Sequence, residues 1–150
     1  MKDLISGQRV QLLHPLVRTR FQNFIEECEN ELNIVLRITQ GFRSFAEQDA
    51  IYQQGRTKPG KIVTMAKPGC SYHNYGLAID LCELIEGNEV NWYYDMSKLL
   101  LIANKYNFEW GGNWVHIKDY PHFQYTFGYT IEQLLERYNN NQISNGYIVI

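Results

Sequence analysis

The sequence predicts an α+β fold, a small and mainly antiparallel sheet with helices packed around it. Three observations carry that expectation. Apolar residues Leu16, Phe21, Phe24, Ile25 and Leu32 recur at helical spacing between Pro15 and Asn33. Apolar and polar residues alternate in "IVLRITQGF" and again in "GLAIDLCEL", the pattern of half-buried strands. Helix-opening signals also recur between these segments.

Taken in order, the helix from Pro15 to Asn33 leads into a strand of Ile34, Leu36 and Ile38 set against Val35, Arg37 and Thr39, which Gly41 ends. Ser44 and Glu47 form a capping box, so a helix runs from Phe45 to Gln54. The stretch from Gly55 to Tyr72, with Pro59, Gly60, Pro68 and Gly69, reads as a long surface loop of the functional or mobile kind. In the next strand Asp80 shares a face with Ala78 and Cys82. Asp95 caps a helix through Tyr106 that carries Leu99, Leu100, Ile102 and Ala103. "FEWGG" and "HFQYTF" predict short strands, and Thr130 with Gln133 opens a last helix, "IEQLLERYNN".

A chain of 150 residues suits one domain, residues 1–150, large enough to bury a core. Its 45% hydrophobic and 20% charged residues are ordinary for a globular protein. A formal net charge of -2 offers no basic excess for a nucleic-acid partner. No stretch is long and apolar enough for membrane insertion, and the N-terminus lacks the apolar core of a secretory signal. The chain is expected to be monomeric. Cys28, Cys70 and Cys82 are odd in number, which favours reduced thiols over a disulfide framework.

The chemistry concentrates in two segments. In "SYHNYGLAID", His73 precedes a strand, Gly76 lets the chain turn, and Asp80 lies amid apolar residues. A catalytic zinc site needs three ligands of the His, Asp or Glu type and an open position. A turn followed by a strand can bring His73 and Asp80 to one point, although their spacing alone leaves two other roles open. Asp80 can be the ion-pair partner of an Arg, and His73 a hydrogen-bonded loop imidazole. In "WGGNWVHIKDYPHFQ", His122 is a third candidate ligand. Pro121 excludes a helix interior there. Asp119, three residues before His122, can be a base near the metal or simply the start of a turn.

Together these segments resemble the D-Ala-D-Ala metallopeptidase superfamily, which includes VanY-type carboxypeptidases and L-alanyl-D-glutamate endopeptidases of bacteriophages and bacteria. The family motif S-x-H-x-x-G-x-A-x-D is matched by Ser71, His73, Gly76, Ala78 and Asp80. The upstream "GFRS…Q…Y…QGRT" is matched by Gly41, Phe42, Arg43, Ser44, Gln48, Tyr52, Gln54, Gly55, Arg56 and Thr57. The closing D-x-P-H-F is matched by Asp119, Pro121, His122 and Phe123, so that the resemblance spans residues 34–127.

The resemblance implies a hedgehog/D-Ala-D-Ala-peptidase-like fold, a zinc ion held by His73, Asp80 and His122, and Asp119 as catalytic base. It implies that Arg43 faces the site to hold a substrate carboxylate or an oxyanion, a task that suits its forked, permanent charge; a pair with Glu47 or Asp49 is the structural alternative. Gln48 and Ser71 are implied in support. The implied substrates are peptidoglycan stem peptides. VanY-like members tend to carry Glu-x-x-Trp-His near their end, which places this chain nearer the L-alanyl-D-glutamate branch, in the manner of a phage-type endolysin. Such a protein is expected to stay cytoplasmic until released to the cell wall, or to leave by another route.

Two departures stand out. Asn113 occupies the place of the Asp in the usual Gly-Gly-Asp-Trp, and His116 creates an evenly spaced His116, Asp119, His122 run that offers a different ligand set. The three ligands already named suffice for a catalytic site, so His116 is not expected to join them. Rival readings are a D,D-carboxypeptidase releasing terminal D-alanine, a non-catalytic wall-binding module, and a cysteine peptidase using Cys70 or Cys82. Trp110, Trp114 and Tyr120 are expected in the core or the cleft wall, and His14 has no expected role.

Overall fold

The computed structural model describes residues 1–150. The elements run α1 (Leu4–Gln11), α2 (Arg18–Leu32), β1 (Val35–Gln40), α3 (Phe45–Gln53), β2 (Ala78–Ile85), β3 (Glu89–Asn91), α4 (Ser97–Lys105), β4 (Glu109–Trp110), β5 (His122–Gln124), α5 (Ile131–Asn139), β6 (Ile143–Ser144) and β7 (Tyr147–Ile148). The main sheet is five-stranded and antiparallel, in the order β1-β2-β5-β4, with β3 also paired to β2. The α+β expectation holds.

Alternation assigns the faces of the sheet. Ile79, Leu81 and Phe123 point into the core with Phe21, Phe24, Leu36 and Phe108. The Phe21 and Phe108 rings stack with centroids 4.4 Å apart, and Phe24 lies 5.6 Å from Phe123. Since Phe123 is fully buried, its neighbours His122 and Gln124 must point to the opposite face, where Asp80 also lies. Burying such a ring contributes roughly 1.5–3 kcal/mol, so the core itself fixes which face carries the polar residues. Strand β2 is therefore apolar on one side and chemical on the other.

Several boundaries differ from the sequence reading. Helix α2 starts at Arg18 rather than Pro15, and Leu16 lies in the preceding turn, 61% exposed. Asp95 does accept a bond from Ser97 N (2.9 Å), but the helix begins only at Ser97. Both capping boxes form as expected, Ser44 with Glu47 and Thr130 with Gln133. Helix α1, strand β3 and the β6–β7 hairpin have no counterpart in that reading. The hairpin turns at Asn145 and Gly146, both at positive φ (50° and 81°), as a tight two-residue hairpin requires. His14 proves structural: it is buried, and its Nε2 donates to Ile148 O (2.8 Å), which ties the N-terminal turn to that hairpin.

Helix α1 is anchored by its cap. Asp3 accepts from Ser6 N and Oγ (2.9 and 2.6 Å) and pairs with Arg37 Nη2 of β1 (2.9 Å). Burial works to raise the Asp3 carboxyl, but the Arg37 and Ser6 bonds outweigh it and hold the pKa at about 2. A depressed folded-state pKa stabilises above the ordinary carboxylate value, and that stability disappears as pH falls through the folded value. Asp3→Asn is therefore expected to cost about 1–2 kcal/mol in urea unfolding at neutral pH. The difference from wild type closes as pH is lowered from 3.8 toward about 2. An unchanging gap across that window would contradict the account.

Candidate metal centre and active site

Three local devices bring the candidate ligands together. Ser71 caps a 3-10 turn over Tyr72–Tyr75, and its Oγ accepts from His73 N at 3.3 Å. Gly76 ends the turn in the left-handed region (φ 68°), where an added Cβ would lie 2.5 Å from His14 N. From there the chain enters β2, which carries Asp80. On the β1 side the register slips between Ile38 and Gln40, a bulge directly beside Asp80, a common arrangement next to active sites. On the other side Asp80 faces His122 across the β2–β5 pair, and directly opposed residues on one face are within side-chain reach.

His73 Nε2 and His122 Nδ1 are 3.1 Å apart, and Asp80 Oδ1 lies 3.1 Å from His122 Nδ1 and 3.3 Å from His73 Nε2. Both rings are buried, at 4% exposure each. The outer nitrogens determine what the inner ones can do. His73 Nδ1 is 2.8 Å from Gly41 O, which can only accept. His122 Nε2 is 2.9 Å from Gln124 Oε1, likewise an acceptor. Each imidazole therefore carries a hydrogen on the outside, and in the neutral ring its inner nitrogen presents a lone pair beside the carboxylate oxygen. Donors on an ion held tetrahedrally at about 2.0–2.1 Å are about 3.3 Å apart. The donor set thus fits a zinc ion in both chemistry and spacing.

The electrostatics agree. Burial alone would raise the Asp80 carboxyl, but the His122 and His73 rings outweigh it and keep it well below the usual carboxylate range. For His122, burial works downward, and the Asp80 carboxylate reverses that and raises the ring's pKa. Asp119 stands beside the cluster, its Oδ2 3.9 Å from His122 Nδ1 and its side chain 44% exposed. Burial raises its pKa, and the neighbouring Asp80 charge acts in the same direction, which makes it a better proton acceptor than an ordinary carboxylate. The turn that holds it depends on Gly111, whose carbonyl accepts from Asp119 N (3.0 Å). A Cβ at Gly111 would fall 2.4 Å from Asp119 O.

Arg43 and Gln48 form the other wall. Arg43 N donates to His73 O (3.0 Å) and its Nη1 to Gln48 Oε1 (2.9 Å). Gln48 is fully buried, and its amide donates to Ala66 O (2.8 Å) on the long loop. The structural alternative for Arg43 is not what forms, since Glu47 is engaged with Ser44 instead. Burial lowers the Arg43 pKa, while Asp80, Glu47 and Asp119 act to raise it. The guanidinium therefore belongs to the same electrostatic neighbourhood as the cluster.

Other candidates fall outside. His116 is exposed and does not join the three donors, and Asn113 is exposed as well. Cys70 is exposed and Cys82 buried; burial pushes the Cys82 thiol up, the wrong direction for a nucleophile. Trp114 borders the site, its ring centroid 5.0 Å from that of His122, while Trp110 Nε1 donates to Tyr120 O (2.7 Å). The residue missed in the sequence is Gln124. It reads there only as a strand position, although its two-residue offset from His122 already puts both on one face.

Comparison with known proteins places this geometry. A family model described as D-alanyl-D-alanine carboxypeptidase matches residues 64–125. The chain is 43% identical over 122 residues to the peptidoglycan L-alanyl-D-glutamate endopeptidase CwlK of Bacillus subtilis, covering 75% of this chain and 72% of that protein. Among solved structures, the Serratia marcescens L-Ala D-Glu endopeptidase ChiX has a TM-score of 0.58 at 24% identity, over 83% of this chain and 88% of that one. The vancomycin-resistance D,D-dipeptidase VanXYg gives the same TM-score and identity over 83% of this chain and 58% of its own. The two structures bear on the fold. The Bacillus relative, similar over most of both lengths, settles kinship: the chain belongs to the D-Ala-D-Ala metallopeptidase family.

Proposed function

We propose that this chain is a zinc-dependent peptidoglycan peptidase that hydrolyses the L-alanyl–D-glutamate bond of stem peptides. The observation that carries the reading is the meeting of His73, Asp80 and His122 with Asp119 beside them. The activity named for the Bacillus relative supports the choice of bond.

His73, Asp80 and His122 are the residues that would hold the zinc. Bound there, zinc supplies the Lewis acidity that polarises a scissile carbonyl and acidifies the attacking water. Asp119 takes the proton from that water at its carboxylate and delivers it to the departing amide nitrogen. Its raised pKa suits both halves of that transfer. Arg43, fixed by Gln48, offers its guanidinium to the oxyanion or to a substrate carboxylate, a form of preorganised stabilisation that needs no rearrangement during reaction. Ser71 acts through the turn it caps, setting the position of His73. A binding module without turnover has no use for a partly exposed carboxylate with a raised pKa beside a metal site, and Asp119 therefore favours the enzyme.

Asp119→Ala is expected to keep the bound zinc, measured by metal analysis after dialysis, while hydrolysis of purified cell walls falls by about 10²–10⁴-fold. Wall hydrolysis at the wild-type rate in that variant would remove Asp119 from the mechanism. Mass spectrometry of products from defined muropeptides tests the bond itself. Fragments severed between L-Ala and D-Glu are expected, whereas free D-alanine as the sole product would replace the endopeptidase with a D,D-carboxypeptidase.

A further inference from the structure

Gln124 is an amide, and its oxygen faces His122 for a reason located one strand further on. Gln124 Nε2 donates to Glu109 Oε2 at 2.9 Å. A carboxylate only accepts, so the amide nitrogen must point to Glu109 and the oxygen to His122. Glu109 and Gln124 are direct register partners in the β4–β5 pair, and Gln124 follows His122 by two residues on the same face. Thr126 Oγ1 donates to the second Glu109 oxygen (3.2 Å), which holds that carboxylate from its other side. One line of hydrogen bonds thus runs along the sheet from Glu109 through Gln124 to the outer nitrogen of His122.

Resting on the metal centre proposed above, we infer that Glu109 and Gln124 are positioning residues, which fix the orientation and tautomer of His122 so that Nδ1 presents its lone pair to the zinc. Gln124 is buried at 4% exposure and can adopt either amide orientation only if Glu109 is removed. Turned over, it would offer an N–H to His122 Nε2 and favour the ring form with the hydrogen on Nδ1, where the metal must bind. Glu109 is exposed and touches none of the three ligands. Glu109 is bonded to Gln124, and Gln124 to His122, so this line of bonds is the contact route from Glu109 to the ligand. Partners of this type commonly shift metal affinity by about 10–100-fold.

The test is zinc affinity of the whole chain, measured by competition with a chromophoric chelator, beside the thermal midpoint of each metal-free protein. Glu109→Ala and Gln124→Met are expected to weaken zinc by about tenfold or more, with Glu109→Ala leaving the metal-free midpoint unchanged. A carboxylate can only accept, so Gln124→Glu placed in the Glu109→Ala background keeps an acceptor on His122 Nε2 without help from Glu109. That double variant is expected to bring zinc affinity back to within about threefold of wild type. Zinc binding by Glu109→Ala within about twofold of wild type, or a double variant no better than Glu109→Ala, overturns the inference. Since Glu109→Ala removes an exposed side chain, it keeps the test open should Gln124→Met not fold. Failure of the wild type to bind zinc overturns the metal centre itself and the inference with it, whereas loss of wall hydrolysis with zinc still bound bears only on the proposed reaction.

Discussion

Two bare imidazole nitrogens and a carboxylate oxygen held within 3.3 Å of one another are a costly arrangement in a buried site. Their lone pairs face each other, and each ring's hydrogen is committed elsewhere, to Gly41 O and to Gln124 Oε1. A proton shared with Asp80 relieves part of the conflict, consistent with the raised His122 pKa. A divalent cation relieves all of it. Much of the fold around the site serves to hold that arrangement in place.

The sheet provides the base. Asp80 and His122 are cross-strand partners, and the packing of Ile79, Leu81 and Phe123 into the core commits both to the same face. His73 arrives from a separate turn whose approach depends on Gly76, and Asp119 from a turn packed against Gly111. Neither glycine can be replaced without a Cβ overlapping backbone atoms, so the two loops that complete the site come closer to their neighbours than any other residue type allows. Arg43 is bonded to the backbone of His73 and to Gln48, which links the long loop at Ala66 to the same centre. The three candidate ligands, Asp119 and Arg43 are thus held by one framework, although they come from different parts of the chain.

What was legible in the sequence follows the range of the interactions involved. Capping boxes at Ser44 and Thr130 and alternation around Asp80 depend on near neighbours, and these readings hold. The start of α2 differs because Pro15 and Leu16 fit a helical spacing that the turn before Val17 does not use. Helix α1 is weakly signalled because its polar and apolar residues form no clear stripe, and its Asp3 cap is reinforced by Arg37 from a distant strand. Asn145–Gly146 is a local turn signal, whereas the anchoring of that hairpin by His14 is a contact across most of the chain. Spacing could not bring His122 to Asp80, 42 residues away; only the family motif suggested it. The offset of Gln124 from His122 shows only that they share a face, and Glu109 has no local signal, because its partnership with Gln124 exists only once β4 and β5 pair.

The central claim is that His73, Asp80 and His122 bind one cation. Anomalous diffraction from a crystal of the zinc-loaded protein, recorded on both sides of the zinc edge, tests it most directly. The account predicts a single strong peak about 2.0–2.2 Å from His73 Nε2, His122 Nδ1 and an Asp80 oxygen. A peak that instead involves His116, or the absence of any peak between the two imidazoles, would contradict it.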